Sequence, residues 1–222
     1  MKLSIIIPAY NEEGSVKEVI DRVKAVKFKK EIIVVDDGST DSTYNILKKI
    51  KGIKLIKHLI NKGKGAAIRT ALDHTTGDFI IIQDADLEYN PKDYQRLLEP
   101  VLKEGYSVVY GNRFPFYQGK RNLNYLGNKI LSFCTMVIYI NYIEDMETGY
   151  KLFKKEVLNG INLKAKGFDF EPEITAKIIK KGYRIKEVPI NYNPRNKQEG
   201  KKITVLDGIK AALYLLKYRF MD

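Results

Sequence analysis

The first half of the chain alternates short apolar runs with segments of helical hydrophobic spacing. Leu3–Ile7 is almost continuously apolar, which is typical of a strand buried on both faces. Apolar residues then recur every three or four positions from Val16 to Val26, which predicts a helix with one buried face. Because this alternation repeats, we predict an α/β fold whose mostly parallel sheet is flanked by helices. The further predicted elements are strands 31–36, 53–57, 79–83 and 107–110, a helix that Asp41 or Ser42 caps and that ends at Ile50, and helices 66–74 and 91–103.

The pattern changes after about residue 114. Residues 121–142 form one long, mostly helical stretch, and no linker rich in Gly, Ser or Pro separates the two parts of the chain. We therefore predict one domain, 1–222, in which residues 114–222 decorate the sheet built by residues 1–113. The predicted elements of the second part are a short segment at 150–153, a helix at 173–181, a strand at 184–192 and a helix at 204–220.

The hydrophobic pattern of the chain predicts neither export nor insertion into a membrane. The apolar run at the N-terminus is too short for the core of a signal peptide. The longest apolar stretch, Leu131–Ile143, is interrupted by polar residues, whereas a bilayer span needs about 20 apolar residues. We expect a cytoplasmic protein that has no transmembrane helix.

The charge balance indicates an anionic partner. The 39 Lys and Arg residues exceed the 27 Asp and Glu residues and leave a net charge of +12, which suits nucleic acid, phosphorylated small molecules or an anionic membrane. The single cysteine, Cys134, excludes a disulfide framework and a cysteine-based zinc site. His58 and His74 lie in polar surroundings, and we expect both at the surface. Any metal must therefore use oxygen ligands.

Acidic clusters follow the first, second and fourth predicted strands. They are Pro8–Glu12, Asp36–Ser39 and Asp84–Glu88. The carboxyl ends of parallel strands share one edge of a sheet, where ligands bind in open α/β folds. Like charges brought together there need an offsetting cation, and carboxylates with substrate phosphates suit Mg²⁺ or Mn²⁺. A dinucleotide fingerprint is absent after the first strand, and residues 61–65 share only the composition of a phosphate-binding P-loop.

An ordered set of sequence segments extends over essentially the whole chain. The segments are IIIPAYNEE, VVDDGSTDST, NKGKGAA, QDADLE, YGNRF, DMETGYKLF, GFDFEPEI, EVPINYNPR and EGKKI. Together they resemble family 2 glycosyltransferases with the GT-A fold, and among them the polyprenyl-phosphate glycosyltransferases, which include dolichol-phosphate mannose synthases. The resemblance implies transfer of one sugar, with inversion, from a nucleotide sugar such as GDP-mannose or UDP-glucose to a polyprenyl phosphate.

The resemblance also implies roles for individual residues. Residues 1–113 become the nucleotide-binding half and residues 114–222 the acceptor side. Asp86 and Glu88 would bind Mg²⁺ or Mn²⁺, although many relatives have Gln at the second position. The base and ribose would be held by Pro8, Tyr10, Glu12, Asp37, Lys64 and Asp84, and phosphate groups by Arg113, Arg121, Arg195 and either Lys201 or Lys202.

The acceptor chemistry makes a strong general base unnecessary. A phosphomonoester has its second pKa near ~6 and is mostly dianionic at neutral pH. Asp145 would position the acceptor or cap the turn at Gly149. The chain has no tryptophan, so the Gln-x-x-Arg-Trp segment of processive synthases is absent and a single transfer is expected.

A polyprenyl phosphate acceptor requires contact with a membrane. Two apolar stretches are suited to lying in the interface. The alternative is that each packs on the sheet or on a partner subunit, and a small membrane protein could then provide the anchor. They are Asn124–Tyr142, with Leu126, Ile130, Leu131, Phe133, Val137, Ile138 and Ile140, and the C-terminal Leu206, Ile209, Leu213, Leu216 and Phe220, with Lys210, Lys217 and Arg219 nearby.

Two other functions remain open from the sequence. A family 2 enzyme could transfer sugar to a soluble or glycan acceptor, but the basic residues and interfacial stretches argue against it. A nucleic-acid-binding module would use the positive charge, yet the strand-end carboxylates would repel a phosphate backbone.

Overall fold

Seven strands form a single sheet, with seven α-helices around it, in residues 1–116, 123–195 and 205–220, the part of the chain that the computed structural model describes. The strands are β1 (Leu3–Ala9), β2 (Lys30–Asp36), β3 (Lys54–Lys57), β4 (Phe79–Ile82), β5 (Val108–Asn112), β6 (Lys151–Lys154) and β7 (Ile185–Pro189). The helices are α1 (Val16–Ala25), α2 (Thr43–Lys48), α3 (Lys64–Leu72), α4 (Tyr94–Lys103), α5 (Leu123–Tyr139), α6 (Phe170–Lys180) and α7 (Val205–Phe220).

The sheet has the order β3-β2-β1-β4-β6-β5-β7 and is mostly parallel, which confirms the predicted fold class. β1 pairs in parallel with β2 and β4, and β5 pairs in parallel with β7. β6 runs antiparallel between β4 and β5. The second half of the chain therefore supplies β6 and β7 to the sheet itself, where the sequence had predicted that this half would decorate it.

The core consists of two apolar layers, one on each face of the sheet. Successive side chains of a strand point to opposite faces. Ile5 and Ile7 of β1 accordingly pack in the layer with α1 and α4, while Ile6 packs in the layer with α3 and α6. Because both faces are covered, β1 is apolar apart from the buried Ser4, as the sequence predicts.

Helices α5 and α7 pack against each other beside the second layer. The Tyr139 hydroxyl donates a hydrogen bond of 2.8 Å to the Leu215 carbonyl, and both residues belong to the core. Leu131 is only 3% exposed, so its expected place in a membrane-facing surface is wrong. None of the described helices is long and apolar enough to cross a membrane, in agreement with the sequence.

Candidate active site

The acidic clusters converge at the carboxyl ends of β1, β2 and β4, as the sequence predicts. The Asp37 amide donates to the Ala9 carbonyl at 2.8 Å, and the Asn11 amide donates to the Ser39 hydroxyl at 3.0 Å. The Ser15 hydroxyl donates to the Ala85 carbonyl at 2.7 Å and joins the start of α1 to the chain after β4. These links fix the relative positions of all three clusters.

The backbone conformation at Leu87 brings the side chains of its two neighbours, Asp86 and Glu88, to the same side of the chain. Leu87 has φ = +64°, a left-handed conformation that is uncommon for a residue with a side chain. The Glu88 amide turns back and donates to Asp86 Oδ1 at 3.1 Å. Local strain of this kind costs about 1 kcal/mol or more and is concentrated at functional sites.

Glu12, Asp86 and Glu88 form what we term the acidic pocket, and Arg195 lies inside it. The Arg195 Nη2 is 2.8 Å from Asp86 Oδ2, and its Nη1 is 3.0 Å from Glu12 Oε2. The Arg195 Nε is 3.9 Å from Glu88 Oε1. All four side chains are largely buried. The structure thus brings the two expected metal ligands, Asp86 and Glu88, together with two further expected contacts. These are Glu12, expected at the base and ribose, and Arg195, expected at a phosphate group.

A bridge between distant segments delivers Arg195 to this pocket. Tyr89, after β4, pairs with Tyr192, after β7, through an isolated antiparallel bridge. Glu88 Oε1 accepts a hydrogen bond of 2.8 Å from the Arg195 amide, and Glu88 Oε2 accepts one of 3.0 Å from the Tyr192 hydroxyl. Glu88 therefore holds the 192–195 segment in addition to facing the pocket.

The acidic pocket has more negative than positive charge. Burial, together with the charges of Asp84 and Glu88, raises the pKa of Asp86 to about 7, although Arg195 pulls that pKa down. Such a group is stabilised by any additional cation close to it. Within the described ranges, no set of three or more His, Cys, Asp and Glu side chains is arranged to hold a metal ion by itself. The residues present fit a hard cation that takes one or two carboxylates and completes its shell with substrate oxygens.

Lys64 lies at the start of α3 between two carboxylates. Its Nζ is 2.9 Å from Asp84 and 2.9 Å from Glu171. Burial alone would lower the pKa of Lys64, but these carboxylates raise it well above the ordinary value, so the ammonium stays charged. Sequence reasoning gave no role to Glu171. Glu171 is a carboxylate in the first turn of α6, and all residues of that turn are buried.

Two glycines allow the close approaches around Lys64. Gly63 has φ = +94°, and a Cβ there would lie 2.2 Å from the Lys166 carbonyl oxygen. A Cβ at Gly149 would lie 2.1 Å from the Asp84 carboxylate. Any side chain at either position would displace the groups that fix Lys64 and Asp84.

Asp37 holds the loop that precedes α3. It accepts hydrogen bonds from the amides of Lys62 at 3.0 Å and Gly63 at 2.7 Å, and the His58 Nδ1 is 2.6 Å away. His58 is 6% exposed, so its expected position at the surface is wrong: the imidazole is buried because Asp37 and Thr70 occupy both ring nitrogens. His74 is half-buried.

Asp36 differs from its neighbour in having no bonded partner. The residue is fully buried, and neither carboxylate oxygen has a hydrogen-bond partner among the described residues. A buried carboxylate without donors is costly unless a ligand supplies them. Sequence reasoning assigned the nucleotide to Asp37 and passed over Asp36. Of the other expected nucleotide contacts, Pro8 and Tyr10 are half-buried at the same sheet edge.

Arg113 and Asp145 form a buried, bidentate ion pair. Arg113 Nε and Nη2 lie 2.8 Å and 2.6 Å from the two Asp145 oxygens, and the Arg113 amide donates to Asp145 Oδ2 at 2.8 Å. Glu187 in turn accepts the amide of Asp145 at 2.8 Å. The Asp145 carboxylate is thus engaged by Arg113, a partner that the sequence had not suggested for it. Arg121, Lys201 and Lys202 lie outside the described residues.

A second set of buried charges lies behind Lys64. Lys151 is fully buried and donates to the carbonyl of Met146 at 2.9 Å and to that of Thr148. Burial lowers the pKa of Lys151 to about 8 and raises the pKa of Glu147 to about 8. The buried oxygens Glu147 Oε1, Thr148 Oγ1 and Glu171 Oε2 have no hydrogen-bond partner in the part of the chain described.

An exposed apolar face extends over α5 and α7, and we term it the apolar surface. Its side chains are 47–92% exposed. Two residues that were expected at a membrane do not contribute to the apolar surface, since Leu131 is buried and Ile138 is half-buried. It consists of Ile130, Phe133, Val137, Ile140, Leu213, Leu216 and, at 83% exposure, Phe220.

Comparison with solved structures defines the class of fold. The glucosyl-3-phosphoglycerate synthase of Mycobacterium tuberculosis, in complex with Mn²⁺, UDP and phosphoglyceric acid, matches with a TM-score of 0.78 at 22% identity. The match covers 100% of this chain and 79% of that one. The sheet and its helices therefore have the α/β architecture of GT-A glycosyltransferases.

Sequence comparison gives the family. Residues 4–161 match the family model described as Glycosyl transferase family 2, and the chain belongs to this family of enzymes. The UDP-N-acetylglucosamine–dolichyl-phosphate N-acetylglucosaminyltransferase of Methanococcus voltae is 30% identical over 96% of this chain and 95% of its own length. The dolichol-phosphate mannosyltransferase of Pyrococcus furiosus is 31% identical over 90% of this chain, which spans 59% of that protein. These relatives confirm the resemblance drawn from the motifs.

Proposed function

We propose that this chain transfers a single sugar from a nucleotide sugar, such as GDP-mannose or UDP-glucose, to a polyprenyl phosphate, with inversion and with the help of Mg²⁺ or Mn²⁺. The observation that carries the proposal is the acidic pocket with Arg195 inside it. A sugar nucleotide needs both kinds of charge, since carboxylates hold the cation and a guanidinium fork binds phosphate oxygens. The names of the Methanococcus and Pyrococcus relatives support a dolichyl-type acceptor.

Asp86 and Glu88 are the residues that would hold the cation. A bound divalent ion would neutralise the charge that develops on the departing nucleoside diphosphate. Burial and the charges of Asp84 and Glu88 raise the pKa of Asp86 to about 7, so a cation beside this carboxylate would favour its charged form. Glu88, where many relatives have Gln, adds a third carboxylate to the pocket beside those of Glu12 and Asp86.

The protein's own side chains orient the two substrates. Lys64 is fixed by Asp84 and Glu171 and presents a permanent positive charge at the inner side of the site. A phosphomonoester acceptor is mostly dianionic at neutral pH and needs no base to become a nucleophile. The position of Asp145 is consistent with a mechanism that has no general base, because Arg113 binds both oxygens of its carboxylate. Attack on the face opposite the diphosphate gives inversion.

The apolar surface is proposed to rest on the cytoplasmic face of a membrane without crossing it. Lys210 and Lys217 flank the exposed apolar residues of α7 on one side, and Arg219 flanks them on the other, by helical spacing. Basic residues beside an apolar stripe are attracted to anionic lipid, and the net charge of +12 has the same effect. A lipid surface, in preference to a small anchoring protein, is the occupant that suits both features.

A transfer assay with two acceptor classes tests the proposal. The purified chain is incubated with labelled GDP-mannose, UDP-glucose or UDP-N-acetylglucosamine, with either polyprenyl phosphate in vesicles or a soluble glycan. Label from one donor is expected in the lipid extract, to be lost with EDTA and restored by Mg²⁺ or Mn²⁺. Transfer only to the glycan would favour the soluble-acceptor alternative and overturn the proposed acceptor.

Asp86→Asn provides the matched test of the acidic pocket. We expect turnover to fall at least about 100-fold, because loss of a metal ligand removes several kcal/mol of transition-state stabilisation. Asp21→Asn, on the exposed face of α1, makes the same chemical change at a carboxylate paired with Lys17 and should keep full activity. Full turnover by Asp86→Asn would contradict the metal assignment.

A further inference from the structure

The position of Arg195 has a consequence for how the donor enters. Its guanidinium lies 2.8 Å from Asp86, one of the two residues that would hold the metal ion, and 3.0 Å from Glu12. A divalent cation bound to Asp86 would sit against this guanidinium, and two positive charges at such a distance repel strongly in a largely buried site. The guanidinium and the cation cannot share the pocket in this arrangement.

We propose that Arg195 is the counter-cation of the acidic pocket while no donor is bound, and that the metal enters together with the donor's diphosphate by exchanging places with this guanidinium. The inference rests on the proposed donor class. The metal takes over the carboxylates, and the released guanidinium takes a diphosphate oxygen pair, for which its planar fork is suited. A metal ion alone would leave Arg195 displaced and unpaired.

Two features allow the side chain of Arg195 to move independently of its backbone. Its buried Nε has no hydrogen-bond partner among the described residues, so only the two terminal nitrogens of the fork are used. Its backbone is held separately, by the amide bond to Glu88 and by the Asn193 amide, which donates to the Glu88 carbonyl at 2.9 Å. The side chain can therefore swing while the 192–195 segment stays in place.

Glu88 anchors this segment during the exchange. Both of its carboxylate oxygens accept hydrogen bonds from the segment, one from the Tyr192 hydroxyl and one from the Arg195 amide. Each oxygen keeps a second lone pair, so Glu88 can face a cation while it still holds the segment. The backbone of Arg195 therefore stays in place while its guanidinium leaves the pocket.

Binding of Mn²⁺ without nucleotide tests the proposal independently of catalysis. Free Mn²⁺ is measured by electron paramagnetic resonance for the wild type, Arg195→Gln and Arg22→Gln. Arg22 pairs with Glu18 on the exposed face of α1, so its variant makes the same change in net charge away from the pocket. We expect Arg195→Gln to bind Mn²⁺ at least about tenfold more tightly than either other protein. Equal affinity in the two variants would overturn the proposal.

Addition of GDP or UDP separates this inference from the proposed function. The nucleotide should tighten Mn²⁺ binding strongly in the wild type and much less in Arg195→Gln, because the variant has no guanidinium to release. If neither nucleotide binds with Mn²⁺, the proposed donor class fails. If a nucleotide binds but tightens Mn²⁺ binding equally in both proteins, the exchange fails.

A measurement on the unmodified protein covers the case in which Arg195→Gln does not fold. The side-chain signals of ¹⁵N-labelled arginine are recorded, and Arg195→Lys identifies the signal of Arg195 by its loss. That signal should move when Mg²⁺ and GDP or UDP are added together and stay in place with Mg²⁺ alone. A shift of equal size with Mg²⁺ alone would contradict coupled entry.

Discussion

At the scale of single residues, Asp36 and Asp37 show how adjacent carboxylates acquire different tasks. Strand geometry sends successive side chains to opposite faces of the sheet. Asp37 is surrounded by the amides of Lys62 and Gly63 and by His58. Asp36 is fully buried without a partner among the described residues. Asp37 thus shapes the loop before α3, and Asp36 is the carboxylate whose unmet hydrogen bonds we expect a ligand to satisfy.

Asparagine substitutions should separate these tasks. Asp37→Asn should lower the free energy of unfolding by about 1–3 kcal/mol, because amides that now bond a buried carboxylate lose an acceptor. Asp36→Asn should leave stability equal or higher, since it removes a buried charge, and should weaken binding of GDP or UDP. Thermal melting and calorimetric titration check the pair. A stability loss confined to Asp36→Asn would reverse the assignment.

The sequence predicted which carboxylates gather but not how they pair. Clusters placed directly after apolar strands must share a sheet edge, and for that reason Asp84 and Asp86 were found from the pattern alone. Arg195 meets Glu12 across 183 positions of sequence, and this contact depends on a bridge between irregular segments. The burial of His58 likewise follows from tertiary bonds to Asp37 and Thr70 that no local pattern encodes.

At the scale of elements, Arg113 joins the end of β5 to the segment before β6 and, through Asp145, to β7. Arg113→Ala should lower the free energy of unfolding by about 3–5 kcal/mol, because it leaves the Asp145 charge buried and unpaired. Arg96→Ala removes a half-exposed partner of Asp93 and should cost less than about 1 kcal/mol. Urea unfolding measures both. A small loss for Arg113→Ala, with turnover abolished, would identify Arg113 as a direct phosphate contact.

Glu31 links the starts of β1 and β2 to the turn before β4. Burial alone would raise the pKa of Glu31, but hydrogen bonds from Lys2, Ser4 and Thr76 outweigh it and lower that pKa from 4.5 to about 2. A carboxylate whose pKa is lowered by folding stabilises the protein above its unfolded pKa. This contribution, roughly 2–3 kcal/mol, is lost as the pH falls from about 4.5 to about 2.

Replacement of Glu31 should remove that dependence on pH. Glu31→Gln should lose about 2 kcal/mol at neutral pH and show a flatter decline in stability below pH 4.5 than the wild type. Urea unfolding across a series of pH values measures the slope. Glu18→Gln, which breaks an exposed pair with Arg22, should leave the slope unchanged. Identical slopes for Glu31→Gln and wild type would refute the linkage.

Most elements were predictable because their hydrophobic periods are regular, and β6 was not. Residues 150–153 are too short a run to show a period, and their antiparallel insertion between β4 and β5 is decided by pairing with both neighbours. The membrane-facing side of α5 was also misjudged at Leu131. Its apolar residues are spread widely around the helix, so the sequence could not show that packing on α7 would bury that side.

At the scale of the whole molecule, the apolar surface and the basic charge should act together on vesicles. Phe133→Glu and Val137→Glu alter side chains that are 59% and 60% exposed and should lower binding to anionic vesicles without lowering thermal stability. Leu102→Glu, on α4 and 53% exposed, is the matched control and should bind like wild type. Vesicle sedimentation checks all three. Absence of wild-type binding would assign the apolar surface to a protein partner.

Salt and acceptor length refine that prediction. The electrostatic part of binding decays over a Debye length of ~8 Å at physiological salt, so elevated salt should weaken it while the apolar part persists. Phe133→Glu should lose activity on a long-chain acceptor in vesicles and keep it on a water-soluble short-chain phosphate. Equal loss of activity on both acceptors would show that Phe133 serves the transfer reaction itself and not contact with the membrane.

The chemical structure of the lipid product is the most direct test of the proposed transfer. The product of the transfer assay is purified and examined by intact mass and ³¹P NMR. We expect one sugar joined to a single phosphate as a phosphodiester, with the anomeric configuration opposite to that of the donor. A sugar joined through a diphosphate, more than one sugar on the lipid, or a retained configuration would contradict it.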